Sequence, residues 1–116
     1  MFGKLGQIFS LLNNPAKIQE EMQRFQQALG QIVADGDAGA GMVKVRVNGR
    51  REVVNCQLSE EAFKAGDREL LEDLIRAATN QALQKIQQQV AEESAKMAAN
   101  LGLPPAALGM GMPGMV

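Results

Sequence analysis

One helical pattern, over residues 67–100, constrains this chain more than any other feature. Leu71, Leu74, Ile75, Ala78, Ala82, Ile86 and Val90 fall on a single helical stripe. Asp67 is placed to cap its start, with Glu69, Glu72 and Asp73 near the positive N-terminal end, and Gly102 to stop it. At 1.5 Å per residue such a helix is on the order of 50 Å long. The whole chain has 116 residues, room for one modest core, and a domain of that size is only about 25–30 Å across. The helix is therefore expected to protrude, with a largely polar distal part carrying Gln87, Gln88, Gln89, Glu92 and Glu93.

The remaining elements follow from local patterns. Leu5, Ile8, Phe9 and Leu12 form one face of a short helix over residues 4–12. Asn14 suits an N-cap and Pro15 a first helical position, opening a helix to about residue 29 with Ile18, Met22, Phe25 and Leu29 on its stripe. Lys17/Glu21 and Glu20/Arg24 are spaced as i,i+4 pairs on that helix. Residues 31–34 make a short strand, and the glycine-rich residues 35–41 a flexible loop. Val43, Val45 and Val47 then alternate with Met42, Lys44 and Arg46 before Asn48-Gly49, the sequence of a two-residue primed hairpin turn. Such a turn would pair Val47 with Arg50, Val45 with Glu52 and Val43 with Val54. The valines would then share a core face with Val54, Cys56 and Leu58 on the returning strand. Ser59 can cap a short helical turn through Phe63, ended by Gly66.

The fold class this implies is α+β, in the order α-β-β-β-α: a three-stranded antiparallel meander and a long protruding C-terminal helix. Residues 1–101 make one domain, and the Gly-, Pro- and Met-rich residues 102–116 read as a disordered tail. A sheet with two edges and an overlong amphipathic helix call for a symmetric partner, so a homodimer is expected.

Composition excludes much chemistry. There is no histidine, so the commonest general base and metal ligand are missing. A single cysteine rules out an intramolecular disulfide and suits a reducing cytoplasm. On the alternation, Cys56 reads as a buried structural thiol. The Asp35-Gly36-Asp37 segment has Arg46 where a calcium loop needs its bidentate glutamate. No catalytic residues, metal site, cofactor or small-molecule substrate are expected, and the protein is not read as an enzyme. Apolar stretches are too short to span a bilayer, and residues 1–12 lack a secretory h-region. Although the formal net charge is only −1, the charges are segregated. Residues 42–58 carry Lys44, Arg46, Arg50 and Arg51 against Glu52 alone, whereas residues 59–73 set Lys64 and Arg68 among six carboxylates. The basic hairpin is either a solvated face that discourages edge-to-edge aggregation or a surface for polyanions.

Four segments together carry a family resemblance. MFGKLG at the start, GAGMVKVRVNG at 39–49, LEDLIRAATNQA at 71–82 and LGLPPAALG at 101–109 resemble the YbaB/EbfC nucleoid-associated proteins. The resemblance implies a small bacterial cytoplasmic homodimer whose helical arms project from a β-built body like tweezers. It also implies binding of duplex DNA with low sequence specificity, in nucleoid organisation or gene regulation. Two groups of candidate DNA-binding residues follow. Charge favours the hairpin, with Lys44, Arg46, Arg50 and Arg51, where the two-residue turn would set Arg46 across from Arg51 with a phosphate between them. The resemblance leans toward the arms, with Lys17, Arg24 and Lys85, the last unpaired among Gln81, Gln84, Gln88 and Gln89. The competing class is a non-enzymatic protein–protein adaptor that uses the amphipathic arms and the Met-rich tail.

Overall fold

A computed structural model describes residues 13–103. The helix expected over residues 4–12 and the tail from residue 104 onward lie outside the described residues. The elements are α1 (Pro15–Gln31), β1 (Val33–Ala38), β2 (Val43–Asn48), β3 (Val53–Leu58), α2 (Glu60–Lys64) and α3 (Arg68–Asn100). The strands form an antiparallel meander in the order β1-β2-β3, so the α+β class is as expected. Ser59 accepts from the Ala62 N–H at 3.0 Å to cap α2, and Asp67 from the Leu70 N–H at 3.1 Å to cap α3. At the far end of α3, Leu103 N–H donates to the Ala98 carbonyl at 2.8 Å and Gly102 N–H to Ala99 at 3.0 Å. Gly102 takes a left-handed φ of 76° there, closing a Schellman cap.

The chain divides into two compact units, residues 30–89 and residues up to 29 together with those from 90 onward. In the first, one sheet face is the core: Ala34, Val43, Val45 and Val47 are buried with Ala78, Ala82 and Ile86 of α3. Each fully buried valine contributes about 1.5–3 kcal/mol. The contact between sheet and helix is closest at Gly36, where a Cβ would lie 1.8 Å from the Ala78 carbonyl oxygen. Residues 35–38 are thus strand, not the flexible loop their glycine content suggests, and β1 sits further along the chain than residues 31–34. Gly36 is there because a helix backbone passes against it.

The same helix closes the free edge of β1. Asp37 N–H donates to Gln81 Oε1 at 2.7 Å, Lys85 Nζ to the Asp35 carbonyl at 3.0 Å, and Gln89 Nε2 to the Val33 carbonyl at 3.2 Å. Four helical residues rise about 6 Å and two strand residues about 6.6 Å. Side chains at i, i+4 and i+8 therefore meet alternate strand residues in step. The other edge has no such cover: all six residues of β3 are exposed.

The β2–β3 turn differs from the two-residue form. Asn48 N–H donates to the Glu52 carbonyl and Arg51 N–H to that of Asn48, each at 3.0 Å, which leaves Gly49, Arg50 and Arg51 as a three-residue loop. Asn48 Oδ1 accepts from the N–H groups of Arg50 at 2.9 Å and Glu52 at 3.1 Å, and its Nδ2 donates to Glu52 Oε1 at 2.8 Å. Its amide thus builds the turn that the Asn-Gly pair was expected to make by backbone alone. The left-handed position falls on Arg51, at φ 64°. As a result Val43 pairs with Leu58 and Val45 with Cys56, instead of Val54 and Glu52. That shift is four residues, an even number, so Cys56 and Leu58 keep to the valine face. A bulge between Arg46 and Val47 then sets Val47 opposite Val53. Cys56 itself is exposed, not buried, because the helix covers the β1 and β2 part of this face only.

In the second unit α1 contributes a buried carboxylate. Glu21 is 7% exposed, faces Arg24 Nη1 at 3.2 Å and accepts from Asn100 Nδ2 at 3.3 Å. It turns to Arg24 and Asn100, not to the Lys17 expected from spacing, while Met22 of the expected apolar stripe is 45% exposed. Asn14 does cap α1, accepting from the Lys17 N–H at 3.4 Å. The distal part of α3 is not wholly exposed, since Ser94 and Ala98 are buried, as is Leu101 just past its end.

Two substitutions test this packing by chemical denaturation. Gly36→Ala is expected to cost about 3 kcal/mol or more, because the clash is with backbone that no rotamer change relieves. Arg51→Gly is expected to stabilise by up to about 1 kcal/mol, because it removes left-handed strain from a residue that carries a Cβ.

Candidate nucleic-acid interface

Burial of the three valines turns the intervening side chains of β2 outward. Across the outer face the register aligns Asp37, Lys44 and Gln57 in one row and Asp35, Arg46 and Asn55 in the next. Asp35, Lys44, Arg46, Asn55 and Gln57 line a polar groove of ≈ 250 Å³ on this face. Its centre is a two-point ion pair: Arg46 Nε donates to Asp35 Oδ1 at 2.8 Å and Nη2 to Oδ2 at 3.2 Å. Both side chains stay open to solvent, 50% and 59% exposed. The Arg46 hydrogen bonds lower the Asp35 pKa below the ordinary aspartate value. Slight burial opposes this, and the charges of Arg46, Lys85 and Lys44 reinforce it.

Two candidate DNA-binding residues thus bond one aspartate, Arg46 its carboxylate and Lys85 its carbonyl, while Lys44 stands in the next row, across from Asp37. Lys44 and Arg46 come from the hairpin group and Lys85 from the arm group, whose expected isolation does not hold: its ammonium bonds the Asp35 carbonyl. The expected Arg46–Arg51 repulsion is also absent, since Arg46 faces Asn55 and Asp35 while Arg51 sits in the turn. Arg50 is exposed in that turn, with its guanidinium against Gly30, where a Cβ would lie 3.3 Å from Cζ. Lys17 and Arg24 belong to the other unit. Lys17 is exposed, and Arg24 is 60% exposed beside Glu20 at 4.0 Å and Glu21 at 3.2 Å. The site residues absent from the sequence-based candidates are Asp35, Asn55 and Gln57. Alternation on β3 carries the signal for the two amides, opposite in face to Cys56. Asp35 is hidden by its glycine-rich neighbours.

A model of the YbaB/EbfC DNA-binding family matches residues 4–101. The chain belongs to this family. Among its relatives is a nucleoid-associated protein of Pelotomaculum thermopropionicum, 37% identical over 85% of this chain and 94% of the relative. A second, from Moorella thermoacetica, is 39% identical over 86% and 96% respectively, and a third, from Legionella pneumophila, is 38% identical over 82% and 84%. The fold is similar to the crystal structure of an uncharacterized Helicobacter pylori protein. That match has a TM-score of 0.62 and 22% identity, and covers 84% of this chain and 96% of the other. This YbaB/EbfC chain is thus a nucleoid-associated, DNA-binding type of protein, and the names of its family and relatives are not those of an enzyme family. No helix among the described residues is long and apolar enough to cross a membrane.

The Asp35 pair makes a pH prediction for this YbaB/EbfC protein. A depressed carboxylate pKa stabilises the fold fully above the ordinary aspartate value, and that contribution is lost as pH falls through the lowered one. An NMR titration of the Asp35 carboxyl carbon should show a midpoint below that of ordinary aspartates. In Arg46→Ala the midpoint should move back up, and in Lys85→Ala by a smaller amount.

Proposed function

We propose that the protein binds duplex DNA as a homodimer, chiefly through the phosphate backbone and with low sequence specificity. It would do so in the cytoplasm, in organising the nucleoid or regulating genes. The observation that supports this most is the placing of Lys44 and Arg46 on one polar sheet face, with Lys85 at the adjoining β1 edge, in a chain of a DNA-binding family. The net charge of −1 gives no global attraction to DNA, so local clustering must supply it. Lys17, Arg24, Arg50 and Arg51 are further exposed cations that a duplex can reach. The protein would act by binding alone, without a cofactor, metal or small-molecule substrate.

Dimer formation is supported by what α3 leaves open. Val53, Val54 and Leu58 of β3 are 53%, 51% and 41% exposed, Phe63 of α2 is 75% exposed and Leu70 of α3 is 41% exposed. Cys56 is exposed with them. These residues all belong to the sheet-bearing unit, whose β3 edge is also uncovered, and a second copy would cover them.

Gel-shift titrations against unrelated duplexes at several salt concentrations test the DNA reading. Similar affinities that fall with salt are expected. Neutralising Lys44 or Lys85, one phosphate partner at a time, should flatten the slope of log K against log salt by about 0.9. Binding that ignores salt, or no binding, would discard it; a protein recovered by pull-down instead would favour the adaptor. Sedimentation equilibrium should give twice the 12.5 kDa chain mass, and Phe63→Glu with Leu58→Glu should shift the mass toward the monomer.

A further inference from the structure

We infer that Asn48-Gly49 is a deamidation site gated by the β2–β3 turn. The folded chain keeps the site closed, and a chain modified while the turn is open can no longer rebuild that turn. This holds whatever the protein binds.

Asparagine followed by glycine is the pairing that loses its side-chain amide most readily, since no Cβ hinders the attacking nitrogen. The Gly49 N–H gives its proton to water or hydroxide, and the nitrogen bonds Asn48 Cγ. The Cγ–Nδ2 bond then breaks and Nδ2 leaves as ammonia, closing a five-membered succinimide ring. Water opens that ring at either carbonyl, giving aspartate or, in larger amount, isoaspartate.

The first ground is that both reacting groups are tied down. Asn48 is the last residue of β2, and the extended ψ of a strand residue holds the Gly49 nitrogen out of the plane in which the ring must form. Ring closure therefore requires the Asn48–Gly49 peptide to rotate. That peptide is pinned on both sides: its carbonyl accepts from the Arg51 N–H at 3.0 Å, and its N–H donates to the Ile32 carbonyl at 3.1 Å. The side chain is pinned as well. Oδ1 accepts from the N–H groups of Arg50 at 2.9 Å and Glu52 at 3.1 Å, and Nδ2 donates to Glu52 Oε1 at 2.8 Å. The two N–H donors polarise Cγ, but the Gly49 nitrogen cannot reach it while the peptide keeps its plane. Asn48 is only 7% exposed and Gly49 is buried, so water and base are held off too. The reaction waits for the turn to open, and local stability sets how often that happens.

The second ground is what the products would meet. Isoaspartate lengthens the backbone by one atom at the end of β2, next to the Val47–Val53 pair, and upsets the register there. Aspartate keeps an acceptor for the two N–H groups but has no N–H to offer Glu52. Two carboxylates would then stand where a 2.8 Å hydrogen bond now is, one of them on a residue that is 7% exposed. Loss of the amide thus disables the turn that the amide builds.

Peptide mapping of the full-length protein, incubated at mildly alkaline pH, tests the gate. Asn48 in the folded protein should be converted roughly a hundredfold or more slowly than in the urea-unfolded chain. Deuterium exchange at the Gly49 amide should be slowed by a similar factor, because it needs the same opening. Glu52→Ala removes the Nδ2 partner and should speed conversion in the folded protein without changing the rate in urea. Arg51→Gly relieves the left-handed position and should slow conversion by up to roughly fivefold. In wild type and each folded variant, conversion should follow the protection of the Gly49 amide. Conversion as fast in the folded protein as in urea, or rates that do not follow that protection, would overturn the gate. The isoaspartate form, separated chromatographically and refolded, should not regain the wild-type denaturation midpoint. Recovery of that midpoint would overturn the irreversible part of the inference.

Discussion

At Gly36 the backbone of β1 lies so near α3 that a Cβ would sit 1.8 Å from the Ala78 carbonyl oxygen. That approach is possible only because the strand contributes a glycine and the helix contributes Ala78 and Ala82 at the crossing. Once it is made, Gln81, Lys85 and Gln89 fall at the right heights to bond the β1 edge. The valines of β2 are buried on the same face. A bulkier residue at position 36 would lift the helix and with it both the hydrogen-bonded edge and the cover over the valines.

The same contact gives the sheet two unlike edges and two unlike faces. The β1 edge is occupied by helix side chains, so its N–H and C=O groups are not a template for another strand. The β3 strand is exposed along its whole length, Val53, Val54 and Leu58 included. Asp35 binds two cations, Arg46 through its carboxylate on the outer face and Lys85 through its carbonyl at the β1 edge, and Lys44 adds its charge nearby. A helix residue and hairpin residues thus enter one electrostatic cluster because the helix lies along the strand.

Much of this is legible in the chain itself. The alternation of Val43, Val45 and Val47, the caps at Asn14, Ser59 and Asp67, and the stop at Gly102 are local patterns, and each is realised. The segment over 35–41 is harder to read because glycine carries two meanings, turn flexibility and close backbone approach, and only the neighbour in space separates them. Asn48-Gly49 misleads for a related reason. The amide of Asn48 has partners in Glu52 and the Arg50 backbone, and they favour a longer loop over the primed turn. The even shift in register keeps Cys56 and Leu58 on the valine side, so the expected turn, although wrong, leads to the right core side of β3. It leads to the wrong cross-strand neighbours, and a charged site is made of neighbours.

The sequence by itself determined the order of elements, the class α+β, the two faces of the hairpin and the family, because periodicity, capping and contiguous motifs depend on residues close along the chain. Only the tertiary structure decided which residues meet: Arg46 with Asp35 instead of Arg51, Lys85 with the β1 edge, Glu21 with Asn100. It also decided that Cys56, on the core side by pattern, stays exposed. The physical reason is reach. A strand's pattern says which way a side chain points, but whether another element covers it depends on where a helix tens of residues away can approach, and here Gly36 sets that place.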